Sequence, residues 1–469
     1  MYGLLWPEAS VSVPRLIEIL RARYEAASGA RYLRIVDALE AAVRAGELQG
    51  GDRLPTHRAL AEALGVDLTT VTRAYGAARE RGLLDGAVGR GTFVRGAAAE
   101  ADRGLVDLSM NIPPQPEGRS LRRLLAEGLS GVLGRADTAT LMAYRPVGGG
   151  AAERAAVVQW LEPLLGRIAP ERALVAPGAQ AVLNALLVSV VRPGGALAVE
   201  PLTYPGLLSL ARHLGIGLVP VEVDAEGVTP EALERVCAER RPQALYLTPT
   251  IQNPTTATMS VERREAVVRI AAAHGLAIIE DDAYGLLPES PLPPIARFAP
   301  ERTWYVSTLS KCLSPGLRLA FAVAPDAAGA ERLAAAMRAV TGMASPLASA
   351  LILGWIRDGV AQDLLEGVRA EAGARRALAG DILPSATGPA NGIHVWLDLP
   401  PAWDRFALVD AARARGLAPA PADAFAAAGA ARNGVRLSLG AARDRESLSR
   451  ALQALAATLK SAPAFAHVV

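Results

Sequence analysis

The chain has 469 residues, 51% hydrophobic and 20% charged, with 49 Lys and Arg against 47 Asp and Glu and a formal net charge of +2. That length predicts at least two domains, one of them large. The composition is that of a globular protein and excludes a disordered or fibrous chain. Two cysteines, Cys237 and Cys312, exclude a disulfide scaffold and a cysteine-built metal site. The start MYGLLWPEAS lacks the basic residues and apolar run of a signal peptide, and apolar runs such as 181–191 are too short to span a bilayer. A cytoplasmic protein with no membrane partner is expected. The near-neutral global charge leaves nucleic acid binding open, so local patterns have to decide.

Residues 1–30 form an N-terminal extension in which Val13–Tyr24 is amphipathic, with Pro14 where a first helical turn accepts it. This predicts a helix that packs on another part of the molecule. Residues 31–96 read as helix, helix, turn, helix and hairpin. Thr56, after Pro55, caps a helix with the apolar stripe Leu60, Ala61 and Leu64, and Gly65 ends it. After the turn Val66-Asp67, residues Leu68, Val71 and Tyr75 recur at i, i+3 and i+7 and are expected to face inward. Thr69, Thr70, Thr72 and Arg73 then face outward near the start of this second helix, an arrangement that suits a major groove. Gly82–Val94 reads as a two-stranded wing with Gly89-Arg90-Gly91 at its tip, while Arg79 and Arg81 read as solvated surface.

Residues 97–106 form a short linker, and the pattern changes over 107–469. Runs at 174–176, 196–200, 216–220, 244–248, 277–281 and 303–307 read as buried strands alternating with helices. That alternation predicts a mostly parallel α/β sheet covered on both faces. Strands near 393–399 and 434–439 add a small α+β unit at the C-terminus.

The run GDRLPTHRALAEALGVDLTTVTRAY, followed by RGLL and GRGTFV, resembles the GntR family of winged helix-turn-helix DNA-binding proteins over nearly its whole signature. The resemblance implies a double-stranded DNA operator as partner. It places Arg58, Thr70, Thr72 and Arg73 against the DNA and Arg90 at the wing.

The second part offers what pyridoxal 5'-phosphate (PLP) chemistry needs: a lysine, a carboxylate for the pyridine nitrogen, donors to the phenolic oxygen and a phosphate cradle. These groups stand at strand ends or adjacent loops, where an open α/β sheet places ligands. The run Ser307-Thr-Leu-Ser-Lys-Cys-Leu-Ser-Pro-Gly-Leu-Arg318 resembles the lysine motif of fold-type I aminotransferases. The resemblance makes Lys311 the lysine of an internal aldimine, and gives the phosphate to Arg318, Thr308 and Ser310. Glu280-Asp-Asp-Ala-Tyr284 resembles the segment whose aspartate, Asp281, pairs with the pyridine nitrogen and whose tyrosine, Tyr284, reaches the phenolic oxygen. Asn253, in Asn-Pro-Thr, resembles the asparagine that shares that oxygen. In Pro177-Gly-Ala-Gln, Ala179 and Gln180 would give amides to the phosphate, and Tyr204 resembles the aromatic that stacks on the ring. Tyr144 resembles the tyrosine that reaches the partner's phosphate across a dimer, although Arg145 stands where the family has glycine. Arg436, in Val-Arg-Leu-Ser, matches the arginine that grips a substrate carboxylate.

A GntR-like segment joined to an aminotransferase class I/II-like domain resembles the MocR subfamily of regulators. The resemblance implies a homodimer that senses an amino compound or PLP through an aldimine at Lys311 and regulates transcription. Two alternatives stand beside it: a working aminotransferase carrying a DNA-binding domain, and a DNA-binding protein whose large domain is a relic. The intact set Lys311, Asp281, Asn253, Tyr284, Arg318 and Arg436 argues against the relic.

Overall fold

A computed structural model of the chain describes residues 13–461 apart from 28, 46, 50, 51, 82, 88–90, 95–105, 117–120, 430 and 431. Arg90, and all of the 97–106 linker except Val106, lie outside the described residues. Contacts divide the chain into two compact units, Met1–Gly104 and Leu105–Val469.

The first unit contains α1 (Val13–Ala26), α2 (Arg31–Arg44), α3 (His57–Leu64), α4 (Leu68–Glu80) and the antiparallel hairpin β1 (Leu84–Ala87) and β2 (Gly91–Val94). The Thr56 hydroxyl accepts from the Ala59 amide, and Gly65 takes the left-handed conformation that ends α3. Val71 and Tyr75 of α4 are buried with Leu60 of α3 and Leu39 of α2. The Tyr75 hydroxyl donates to the Pro55 carbonyl at 2.9 Å, which satisfies a buried polar atom. Leu16, Leu20 and Tyr24 place α1 in this same core, so the helix of the N-terminal extension packs within this unit. One expectation fails. Leu68 is 47% exposed, because the first residue of α4 lies beyond the reach of the core stripe that begins at Val71.

The second unit is built on a seven-stranded sheet. Its strands are β3 (Ala173–Ala176), β4 (Ala196–Val199), β5 (Gly217–Pro220), β8 (Ala244–Leu247), β9 (Ala277–Asp281), β10 (Thr303–Thr308) and β11 (Ala320–Val323), in the order β3-β11-β10-β9-β8-β4-β5. The run β10-β9-β8-β4-β5 is parallel, and β11 runs against both its neighbours. β11 is the strand the sequence pattern missed: Ala-Phe-Ala-Val directly follows the lysine motif, with no intervening helix to mark it off. A short hairpin pairs β6 (Val223–Asp224) with β7 (Gly227–Val228).

Apolar side chains fill both sheet faces. The helix Ala179–Val190 packs with Ala327–Val340 on one face, and Pro230–Arg240 with Val261–Ala273 on the other. A small antiparallel sheet of β12 (His394–Asp398), β13 (Ala420–Pro421) and β14 (Gly434–Ser438) has its own core with the helices Arg405–Arg413 and Arg445–Lys460. No helix among the described residues is long and apolar enough to cross a membrane.

Candidate functional site

On the first unit, Arg58, Thr69, Thr72 and Arg73 are exposed and Thr70 is half-buried. The Thr72 hydroxyl donates to the Leu68 carbonyl at 2.9 Å and lies 3.2 Å from Nδ1 of His57. The Arg73 guanidinium sits 4.0 Å over the ring of Tyr32, which fixes its stem along α2 while leaving the charge at the surface. Arg79 donates to the Thr92 hydroxyl of β2 at 3.2 Å, and Arg81 pairs with Asp37 and Glu40. Arg53, exposed and bridged by its backbone to Phe93, adds a further cation beside the wing.

On the second unit, the C-terminal ends of the parallel strands open into a cavity of about 230 Å³. The ends of β3, β4, β8, β9 and β10 and the segments that follow them deliver residues to it. The helix N-terminus after β3 brings Ala179 and Gln180, and the loop after β4 brings Tyr204. The loop after β8 brings Asn253, β9 ends at Asp281 with Tyr284 just beyond, and β10 leads to Thr308, Ser310 and Lys311. Arg318 closes the ring. Arg436, on β14, reaches the edge of this group from the small subdomain, where its Nη1 donates to Oδ1 of Asn253 at 2.7 Å. Tyr144 stands apart, outside the residues lining the cavity and 96% exposed.

Asp281 is buried, and the Tyr246 hydroxyl donates to its Oδ2 at 2.7 Å. Its other oxygen, Oδ1, is buried with no hydrogen-bond partner among the described residues. Burial pushes this carboxyl up to about 6; the Tyr246 hydrogen bond and the Lys311 charge pull against burial, and Asp282 adds to it. Lys311 is brought down to about 8, first by burial, then by the Arg436 cation, with Asp281 opposing. Tyr284 is held well above its ordinary range, chiefly by burial, so its hydroxyl keeps its proton at neutral pH.

The opposite end of the cavity suits an anion. Gly178 has φ +101° and ψ 158° and precedes the helix Ala179–Val190. A Cβ there would lie 2.7 Å from Nη2 of Arg318, so the bare glycine is what lets the guanidinium sit against the helix N-terminus. Thr308 and Ser310 join this cradle, their hydroxyls 3.0 Å apart.

Tyr246, Asn111 and His394 are site residues that the sequence reading missed. Nδ2 of Asn111 donates to the Tyr284 hydroxyl at 2.9 Å and to Nδ1 of His394 at 3.1 Å. Burial, helped by Arg436, brings His394 down to about 3, so it is a neutral imidazole. With Nδ1 accepting, its Nε2 carries the proton toward the Gln252 carbonyl at 3.3 Å.

These residues fit PLP. The unpartnered Asp281 oxygen suits a protonated ring nitrogen, Lys311 suits the aldehyde carbon, and the Gly178–Arg318 cradle suits a phosphate.

Residues 103–455 match the family of class I and II aminotransferases, and residues 31–94 match the gntR family of bacterial regulatory proteins. The uncharacterized HTH-type transcriptional regulator YdeF of Bacillus subtilis is 32% identical over 79% of this chain and 81% of its own length. The vitamin B6 salvage pathway transcriptional repressor PtsJ of Salmonella typhimurium is 30% identical over 78% of this chain and 84% of its own. Among solved structures, the α-aminoadipate aminotransferase LysN of Thermus thermophilus, complexed with N-(5'-phosphopyridoxyl)-L-leucine, is similar with a TM-score of 0.70 and 28% identity. That likeness covers 76% of this chain and 92% of LysN. The chain therefore belongs to the aminotransferase class I and II family, whose cofactor is PLP, and carries an N-terminal DNA-binding domain of the gntR family, the domain arrangement of MocR-type transcriptional regulators.

Proposed function

We propose that this protein is a cytoplasmic, homodimeric transcription factor whose large unit senses an amino compound or PLP and thereby changes the affinity of its DNA-binding unit for an operator. The observation that carries the reading is the pairing, in one chain, of an outward-facing recognition helix with a half-buried lysine and a buried carboxylate oxygen that has no partner among the described residues, both in one cavity.

When bound, PLP supplies an aldehyde that combines reversibly with primary amines and a ring that withdraws electrons. The residues of this chain divide the work around it. Lys311, with its amine brought down to about 8, has a substantial neutral fraction near physiological pH and would hold the cofactor covalently. Asp281 would keep a proton on the ring nitrogen. Asn253 and Tyr284 would donate to the phenolic oxygen, and Tyr204 would stack on the ring. Thr308, Ser310, Arg318 and the amides of Ala179 and Gln180 would bind the phosphate. Arg436 would grip the carboxylate of an amino acid. Tyr144, with Met142 also exposed nearby, suits contact with a second copy, where it would reach the partner subunit's phosphate. On the other unit, Arg58, Thr70, Thr72, Arg73 and Arg90 would face the DNA.

The similarity to 2-aminoadipate transaminase of Thermus thermophilus, 31% identical over 68% of this chain, together with the presence of Arg436, keeps transamination as the second reading. One experiment separates the two. The purified protein is titrated with PLP and then with amino compounds while visible absorbance, operator binding and keto-acid release are followed. A sensor gives a Lys311-dependent band that one amine shifts, with altered DNA affinity and no keto-acid product. Steady keto-acid release at unchanged DNA affinity makes the protein an enzyme.

A further inference from the structure

Two side chains of the cofactor site hold the same short stretch of backbone. Nζ of Lys311 donates to the Asn111 carbonyl, and Nη2 of Arg436 donates to the Ser109 carbonyl. The Asn111 side chain is tied in turn to the Tyr284 hydroxyl and to His394. Just upstream, the Leu108 carbonyl accepts from the Ser438 amide at 2.8 Å, and the Val106 amide donates to Gly416 at 2.7 Å. Asn111 and Leu108 are buried. In sequence this stretch is the first of the large unit, directly after the residues that lead from the DNA-binding unit.

The geometry sets up a competition. A lysine amine joined to a carbonyl carbon is no longer an ammonium free to donate to Asn111. A carboxylate gripped by Arg436 brings further oxygen acceptors to a guanidinium that already serves Ser109 and Asn253. Each change at the site therefore removes or weakens a bond to the 109–111 backbone.

We propose that Asn111 is a positioning residue for Lys311 and Tyr284, and that engagement of the Lys311 amine loosens residues 106–112 at the foot of the chain leading to the DNA-binding unit. The proposal rests on the reading of Lys311 as the cofactor's lysine. It names the part of the large unit through which occupancy reaches the linker, a coupling in the sense of differential contacts in two states.

Hydrogen exchange of the full-length protein, read by mass spectrometry with and without PLP, tests it. Amides in 106–112 are expected to exchange about tenfold faster once PLP is bound, the loss of roughly one hydrogen bond. Lys311→Ala without PLP is expected to be equally loose, and PLP is expected to change nothing further. A wild-type visible band with exchange at 106–112 unchanged or slowed overturns the proposal and leaves the cofactor reading intact. Absence of the band overturns the cofactor reading, and the Lys311→Ala comparison still decides whether the amine clamps the stretch. For the positioning role, Asn111→Leu removes the donor to Tyr284 and makes that hydroxyl a weaker donor in turn. The pH at which the visible band changes is expected to rise by about one unit. An unshifted profile in a folded variant reduces Asn111 to a packing residue and overturns that role.

Discussion

The Tyr246 hydroxyl donates to Oδ2 of Asp281 across adjacent parallel strands, and Oδ1 of the same carboxylate is left buried and unpartnered among the described residues. One oxygen is held in place and the other is presented to the cavity. This division makes Asp281 more than a buried acid: its orientation is fixed before any ligand arrives.

The first consequence concerns pH. Asp281 sits at about 6, raised by burial, so PLP affinity is expected to hold above that value and to fall as pH drops through it and the carboxylate is protonated. Tyr246→Phe removes a hydrogen bond that favours the charged form and so raises the carboxyl further. The loss then begins at higher pH, and affinity at neutral pH falls about fivefold, the equivalent of about 1 kcal/mol. Equilibrium titration of the visible band against pH in both proteins checks this.

Lys311 gives a second profile. Its amine is brought down to about 8, by burial first and then by the Arg436 cation, and only the neutral amine attacks an aldehyde. The rate of PLP uptake is expected to rise with pH and level off above about 8. Arg436→Ala removes a cation that disfavours the ammonium, so the amine's pKa rises and the profile moves to higher pH, whereas Arg436→Lys is expected to keep most of the effect. Stopped-flow uptake across pH reads the midpoint.

Gly178→Ala is expected to damage both fold and site. With φ +101° and ψ 158°, the position lies in a region open almost solely to glycine, at a cost of about 1–3 kcal/mol for any other residue. The added Cβ would also meet Nη2 of Arg318 at 2.7 Å and push the guanidinium out of the cradle. Thermal unfolding reports the first loss. Release of PLP, displaced by inorganic phosphate more easily than from the wild type, reports the second.

Arg58 and Arg73 are exposed on the first unit, and each Ala substitution is expected to weaken operator binding by about 1–3 kcal/mol if it removes a base contact, or to lower the salt slope by about one if it removes a phosphate contact. Arg81 is paired with Asp37 and Glu40 at the surface, so Arg81→Ala is expected to change operator affinity by less than about 0.5 kcal/mol. Gel-shift titrations at two or more salt concentrations distinguish these outcomes.

Legibility from sequence followed the range of the interactions. The two-unit arrangement, most strands of the main sheet and the residues gathered by strand ends were readable, because turn chemistry, periodicity and loop position are local. Asn111 was not, since its partners Tyr284 and His394 lie 173 and 283 residues away and no nearby motif marks it. Tyr246 lies within the run Ala-Leu-Tyr-Leu, where an aromatic reads as core, and only the pairing of β8 with β9 reveals its hydroxyl beside Asp281. Leu68 was misplaced for the opposite reason: helical spacing was extended to a residue at the helix start that has no core to meet.

The most direct test of the sensing reading is the operator affinity of the full-length protein, measured without PLP, with PLP, and with PLP plus a panel of amino compounds, in parallel with Lys311→Ala. A change in affinity on adding PLP or one amine, absent in Lys311→Ala, is the expected result. The same affinity under every condition, with the visible band of bound PLP present, would contradict it.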